Sequence, residues 1–274
     1  MTAKRIAILG AGHIGQALVR GFLAADKSDR EHMMATVPDQ DKARQLGEDL
    51  RIPVITSNSD AAAQADVVIF SVKPQVLPMV LRELAPVMNP EKLAVSVAAG
   101  IPTEFIEKVL DGEIPVIRLM PNVAVVAQQG ATGMSSGRYA DEEDVSYVKD
   151  LFSSVGLVME VEEDLMNAVT GLSGTGPMYI FQVIEGLSDA GVKVGLSRDK
   201  AHTLAVQTTL GAALMARDYG RHPGHLKDLV TSPAGTAIAA LHLMERSGFR
   251  AILMDAVEEA ARRSAELGRM HMKK

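Results

Sequence analysis

Apolar and polar positions in the first part of this chain follow two alternating rhythms. Short β-branched or apolar runs at 5–9, 33–37, 67–71, 93–97 and 116–119 read as strands. Between them, residues 40–50, 75–84 and 103–110 carry apolar side chains at helical spacing. This alternation predicts a parallel sheet with helices on both faces. A run such as "DVVIFSV" is apolar almost throughout, as befits a strand covered on both sides. Residues 134–137 end in a turn, 141–155 read as another helix, and "LVMEVE" as a further strand.

From Asp164 the strand rhythm stops. Residues 166–172, 178–194, 198–219 and 236–267, the last with a break near Gly248, are rich in Ala, Leu and Met recurring at three and four. The expected division is an α/β domain over 1–162 and an all-helical domain over 163–274. A small helical domain has too little interior for so many apolar positions, so burial against a second copy of the chain is expected.

The composition changes this picture mainly by exclusion. The 274 residues are 47% hydrophobic and 23% charged, with a net charge of −6. That balance argues against a nucleic-acid or membrane-surface partner. Cysteine is absent, which rules out disulfides, thiol catalysis and thiolate metal sites. The opening "MTAKRIAILGAGHIGQAL" superficially resembles a secretion signal, but Gly10, Gly12, His13 and Gly15 break its apolar run and favour a strand and turn. No later stretch approaches the roughly 20 apolar residues of a membrane span. A soluble, cytoplasmic protein is expected.

Within "AILGAGHIGQALVRGF", G-x-G-x-x-G follows a strand and opens a helix. Gly10 permits the tight turn, Gly12 lets the backbone approach a pyrophosphate, and Gly15 allows close helix–strand packing. The helix from His13 then points its N–H groups and dipole at the phosphates. A Rossmann-like dinucleotide domain is the reading. The second strand ends at Thr36, Val37 and Pro38, without the carboxylate that binds a ribose 2′-hydroxyl, and Asp39 lies past the proline. NADPH is therefore favoured, with NADH as the other donor, and Lys42 or Arg44 is the available cation for a 2′-phosphate. "FSVKPQVL" and "VSVAAGIP" fall at later strand ends, where open α/β sheets bind ligands, and their small loops suit a flat nicotinamide ring. Lys73 is the one charge there.

Two helix starts in the second half share a construction. "VTGLSGTGPMYIF" (169–181) has Ser173 or Thr175 as cap candidates and Pro177 for the first turn. "VTSPAGTAIAAL" (230–241) has Ser232 and Pro233, then Gly235 and Thr236 before Ile238. Each is either a capped helix or an anion site, and the pair suggests a platform for a small anionic substrate. His202, His225 and His242 lack metal spacing, so no metal is expected. Glu162, Glu163 and Asp164 read as a charged helix start, Asp228 as a loop-fixing residue, and Tyr179 as either near the site or in the core.

"MPN" at 120–122, "GLSGTGPMY" at 171–179, "HPGHLKDLVTSPAGTAIAALHLMERSGFRAILMDAVEEA" at 222–260 and the glycine motif together resemble pyrroline-5-carboxylate reductases, in order and spacing, over nearly the whole chain. The resemblance implies reduction of 1-pyrroline-5-carboxylate to L-proline by NAD(P)H, the last step of proline synthesis. It implies homodimers whose C-terminal helices interlock to complete each substrate site, and decamers of such dimers. Carried over residue by residue, Gly10, Gly12, His13, Ile14 and Gly15 line the pyrophosphate, and Thr36, Val37, Pro38 and Asn58 lie near the adenosine ribose. Val72, Lys73, Pro74, Ala98, Ala99, Gly100 and Asn122 surround the nicotinamide. Met120, Val230, Ser232, Gly235, Thr236 and Ala237 contact substrate, with Ser232 and Thr236 as the catalytic candidates.

One departure lies in this last group. The family pattern is S-P-G-G-T-T or a close variant ending in Thr, whereas this chain has Ala234 and ends in Ala237. Ala237 has no hydroxyl for the imine nitrogen, and Thr236 projects about 100° away around the helix. A related cyclic imine acid as substrate, or a nucleotide-binding homologue with weakened catalysis, is the alternative reading.

Overall fold

The structure is a computed structural model describing residues 4–272; the outermost residues of the expected domains, 1–3 and 273–274, lie outside the described residues. The α/β part runs β1 Ile6–Leu9, α1 His13–Ala24, β2 Met33–Thr36, α2 Gln40–Leu50, β3 Val54–Ile55, α3 Asn58–Gln64, β4 Val67–Phe70, α4 Leu77–Leu84, β5 Leu93–Ser96, α5 Thr103–Leu110, β6 Val116–Met120, β7 Gly130–Ser136, α6 Glu142–Ser153 and β8 Gly156–Glu160. The eight strands lie in the order β3-β2-β1-β4-β5-β6-β7-β8. All neighbours are parallel except β6 and β7. The order reverses between β1 and β4, which opens a crevice at the carboxyl ends of those strands.

Alternate side chains of each strand feed two apolar layers. Ile6 and Ile8 join Leu18, Phe22 and Phe152 on one face, while Ala7 and Leu9 join Leu77, Leu81 and Leu84 on the other. Both faces of the sheet are thereby covered, which is why these strands read as continuous apolar runs.

Three features depart from the expected elements. The turn expected at 134–137 follows at 138–139, and residues 134–136 are the end of β7, a strand of sequence GATGMSS. Its small residues hide it from a propensity reading, yet packing demands them: a Cβ on Gly133 would lie 2.7 Å from Val169 Cγ1. β3 and α3 are too short for any periodicity, and α3 relies on Ser57, whose hydroxyl accepts from the Asp60 N–H at 3.1 Å. The third is the lead-in to the segment at 169–181. α7 (Met166–Val169) passes through a single wide turn, Thr170–Gly174, into α8 (Gly176–Lys193). The hydroxyls of Thr170, Ser173 and Thr175 donate back to the carbonyls of Met166, Val169 and Thr170 at 2.9, 3.1 and 3.0 Å. Because the backbone stays helical there, no free helix start exists for Ser173 or Thr175 to cap, and the paired platform reduces to one open helix start, at Gly235.

The chain divides into two compact units, residues 4–175 with 258–272, and residues 176–257. The helical region expected from 163 onward thus contributes its first turns, and the second half of its last helix, to the first unit. The second unit holds α8, α9 (Arg198–Tyr219), α10 (Pro223–Val230), α11 (Thr236–Arg246) and the start of α12 (Phe249–Met272). Taken by itself it has almost no core. Ser188 is the one buried residue of α8, Ala201 and Ala205 are those of α9, and α10 and α11 have none. Phe181, Leu204, Leu243, Ile252 and Met254 all stand exposed. Apolar surface on this scale marks an interaction surface.

Candidate functional site

The glycine loop between β1 and α1 is built as a cradle. Gly10 has φ +93, and a Cβ there would sit 2.9 Å from Val72 Cγ1 and 3.0 Å from the Ser71 carbonyl oxygen. The Gly12 N–H closes the turn on Gly10 O at 2.8 Å. A Cβ on Gly15 would lie 2.5 Å from Gly10 O, so only glycine brings α1 this close to the loop. Gly12 differs from both: a Cβ there meets nothing within 4 Å. That open space lies at the N-cap of α1, and no side chain caps the helix. The first-turn N–H groups, His13 and Ile14 among them, therefore face the loop without a side-chain acceptor, as an anion-binding helix start requires. The cradle fits a pyrophosphate.

Beside it, Thr36 closes β2 with its hydroxyl buried and already engaged. It accepts from the Gly10 N–H at 3.2 Å and donates to Asn58 Oδ1 at 2.7 Å. The structure thus joins Gly10, expected at the pyrophosphate, to Thr36 and Asn58, expected at the ribose, and leaves the Asn58 amide N–H groups as donors. Asp39, the nearest acid, accepts from the Lys42 N–H at 2.7 Å and caps α2 from beyond the end of β2. Arg44 pairs with Asp41 at 2.8 Å on the helix surface.

The loops after β4 and β5 form the other end of the crevice. Lys73 O accepts from the N–H groups of Val76 and Leu77 at 2.9 and 3.1 Å, which turns the chain into α4. Ala98, Ala99 and Gly100 follow β5, with Gly100 at φ +76. Pro74, Ala99 and Gly100 share a pocket of about 250 Å³ with Gln75, Thr170, Thr175, Ala260, Ser264 and Leu267. The last three come from α12, at one-face spacing, and the sequence reading had not placed them near the crevice. Met120, at the end of β6, packs toward Gly174, where a Cβ would lie 2.8 Å from its Cε.

Asn122 has a structural job. Its amide donates to Ser173 O at 3.0 Å, and its Oδ1 accepts from the N–H groups of Ala124 and Ala131 at 3.2 and 3.3 Å. The sequence reading also passed over Ser71, whose hydroxyl is buried beneath the glycine loop with no hydrogen-bond partner among the described residues. Its signal was visible in retrospect, as a lone hydroxyl closing the apolar run of β4. Two shifted groups stand away from the crevice. Tyr147, on α6, is pushed up to about 12 by burial, and Asp144 is raised by the same cause.

In the second unit, α10 ends at Val230 and the chain turns through Thr231–Gly235 into α11. The Gly235 N–H donates to Ser232 O at 3.0 Å, and a Cβ on Gly235 would collide with Ser232 Oγ. Gly235 is the N-cap of α11, without a side-chain cap. Of the two options open at that segment, helix capping is thus not used, and the first-turn N–H groups remain available to an anion. Ala234 sits at φ +58, a left-handed conformation that costs a side-chain-bearing residue about 1 kcal/mol or more. Ala234→Gly is therefore expected to raise stability by about 1 kcal/mol, read as a higher urea midpoint. A midpoint that stays or drops would show that the turn carries no such strain.

The glycine cradle at the reversal of a parallel sheet, followed by a helical unit with little core of its own, defines a dinucleotide-binding Rossmann protein with a helical interaction domain. A family model described as pyrroline-5-carboxylate reductase dimerisation matches residues 163–267, and one described as NADP oxidoreductase, coenzyme F420-dependent, matches residues 5–100. The chain is 44% identical over 269 residues to pyrroline-5-carboxylate reductase of Methanosarcina acetivorans, covering 98% of this chain and 100% of that one. Among solved structures, the Plasmodium falciparum pyrroline carboxylate reductase with NADP bound superposes with a TM-score of 0.88 at 30% identity, over 98% of this chain and 99% of that one. The Coxiella burnetii pyrroline-5-carboxylate reductase gives 0.90 at 33% identity, over 97% and 99%. The chain belongs to the pyrroline-5-carboxylate reductase family.

Proposed function

We propose that this protein reduces 1-pyrroline-5-carboxylate to L-proline, with NADPH as the preferred donor and NADH as a second. The observation that carries the reading is the end-to-end family match combined with an uncapped glycine cradle and an uncapped helix start at Gly235. When bound, the nicotinamide supplies a hydride to the C=N carbon; the protein supplies position and electrostatics. Gly10 and Gly12 shape the loop for a pyrophosphate, and His13, Ile14 and Gly15 at the start of α1 offer it backbone N–H groups. Thr36, Val37, Pro38 and Asn58 shape the ribose pocket, and β2 does not end in the carboxylate that would oppose a 2′-phosphate. Val72, Lys73, Pro74 and Ala98–Gly100 enclose the nicotinamide, and Asn122 contributes by fixing the backbone around it.

The substrate carboxylate lies at the Gly235 helix start and binds the N–H groups of Thr236 and Ala237, with the Ser232 and Thr236 hydroxyls beside it and Met120 and Val230 as apolar walls. Ala237 offers no hydroxyl, so the ring nitrogen arrives protonated or takes its proton from water. Two copies interlock through the exposed faces of the helical unit to complete each site, dimers assemble into decamers, and the protein works in the cytoplasm. Among the described residues no helix is long and apolar enough to cross a membrane.

Purified protein is expected to oxidise NADPH faster than NADH when given the five-membered imine acid. NADPH binding without imine-dependent oxidation would overturn the reading. A six-membered imine acid belongs in the same assay, because Ala237 leaves more room than the threonine of the family pattern; faster turnover on it would make that ring the substrate. Ala237→Thr is expected to raise kcat on the order of tenfold, below the roughly 10²–10⁴-fold of a fully positioned proton donor, because water already supplies the proton. An unchanged rate would mean that proton delivery needs no hydroxyl.

A further inference from the structure

The second half of α12 returns to the first unit and meets the loop after β5 through two glycines. Gly268 is buried inside the helix, and a Cβ on it would fall inside van der Waals contact of Gly100 O. A Cβ on Gly100 would in turn lie 3.1 Å from Gly268 N and Cα and 3.3 Å from Ser264 O. One turn earlier, the Ser264 hydroxyl donates to Asn167 Oδ1 at 2.8 Å and ties the same helix face to α7. Glycine is among the poorest residues for a helix interior, so nothing local to α12 favours it at 268. What does favour it is the backbone-to-backbone approach to Gly100.

We propose that Gly268 is a positioning residue for the nicotinamide loop: by letting α12 press against Gly100, it sets where Ala98, Ala99 and Gly100 stand relative to the nicotinamide ring. This rests on the assignment of that loop under the proposed function. The helix face also presents Ala260, Ser264 and Leu267 to the pocket shared with Pro74 and Ala99. Loop and helix are therefore two walls of one cavity, held at a distance that a single methyl group changes. Alanine at 268 improves the helix itself, so its cost falls on the contact.

The test compares Gly268→Ala with Arg269→Ala, an exposed neighbour on the same turn. Displacing the loop by the order of 1 Å is expected to weaken NADPH binding about tenfold and to lower kcat, since misplacements of this size cost up to roughly a hundredfold. Affinity for 2′-phospho-ADP-ribose, which lacks only the nicotinamide, stays unchanged, and Arg269→Ala alters neither. A folded Gly268→Ala protein that binds both ligands normally, or loses both equally, overturns the proposal. Should that variant fail to fold, hydrogen exchange on the unaltered protein decides. NADPH must slow exchange at 98–101 and 264–270 together, and 2′-phospho-ADP-ribose at neither; protection of the loop alone refutes the coupling. These binding readouts hold even if the imine assay fails, so the two readings fall separately.

Discussion

Gly12→Ala is expected to leave the fold intact and to expel the cofactor. Gly12 has φ −76, which any residue adopts, and its Cβ would project into open space. The substitution removes backbone freedom from the unfolded chain, so stability should hold or rise by roughly 0.4–1 kcal/mol. The added methyl, however, stands where a pyrophosphate must approach the backbone. Forcing atoms apart by one methyl costs about 1–3 kcal/mol, or roughly fivefold to somewhat over a hundredfold in Kd. Gly15→Ala supplies the contrast: its Cβ meets Gly10 O at 2.5 Å, so that change should damage the loop and the thermal stability as well. Titrating NADPH by fluorescence alongside a melting curve separates the two. If Gly12→Ala binds NADPH normally, the cradle is not the pyrophosphate site.

The second large effect concerns stability. Arg118, in the middle of β6, is only 3% exposed, and its Nη1 donates to Glu163 Oε1 at 2.6 Å. Its Nε and Nη2 have no partner among the described residues. Ser96 on β5 and Ser135 on β7 sit opposite it in register, so the pair lies in a polar lane across an otherwise apolar sheet. Glu163→Ala would strand a buried guanidinium, a loss typically worth 3–5 kcal/mol. About 3 kcal/mol is expected here, because Glu163 keeps 31% of its side chain in water. In a chain of this size that lowers Tm by roughly 6–12 °C. Glu163→Gln keeps an acceptor in place and should lose less. Calorimetry checks both, and equal Tm values for Glu163→Ala and the unaltered protein would reduce the pair to a surface contact.

Arg118 also shows where reading the chain as a string falls short. A charge inside "VIRLM" gives no indication of its partner, because Glu163 is 45 residues away and was read as part of a charged helix start. The same limit hid β7, whose two glycines are dictated by Val125, Val155 and Val169 across the packing rather than by strand propensity. It hid the role of Ser173 and Thr175 too, since whether a hydroxyl caps a helix depends on whether the backbone breaks there.

What the chain determined by itself was everything carried by local repetition and spacing. Apolar periodicity announced the strands β1, β2, β4, β5 and β6 and the long helices. The three glycines at fixed spacing after β1 announced the phosphate loop, and the ordered motifs from 120 to 260 announced the family. What only the tertiary structure decided was everything that depends on a distant neighbour: Thr36 bonded to Asn58, Asp39 spent on a helix cap, Arg118 held by Glu163, and α12 brought back against Gly100. The reason is physical. Periodicity and turn chemistry act within a few residues, whereas the value of a buried charge or a missing Cβ is set by atoms that arrive from far along the chain.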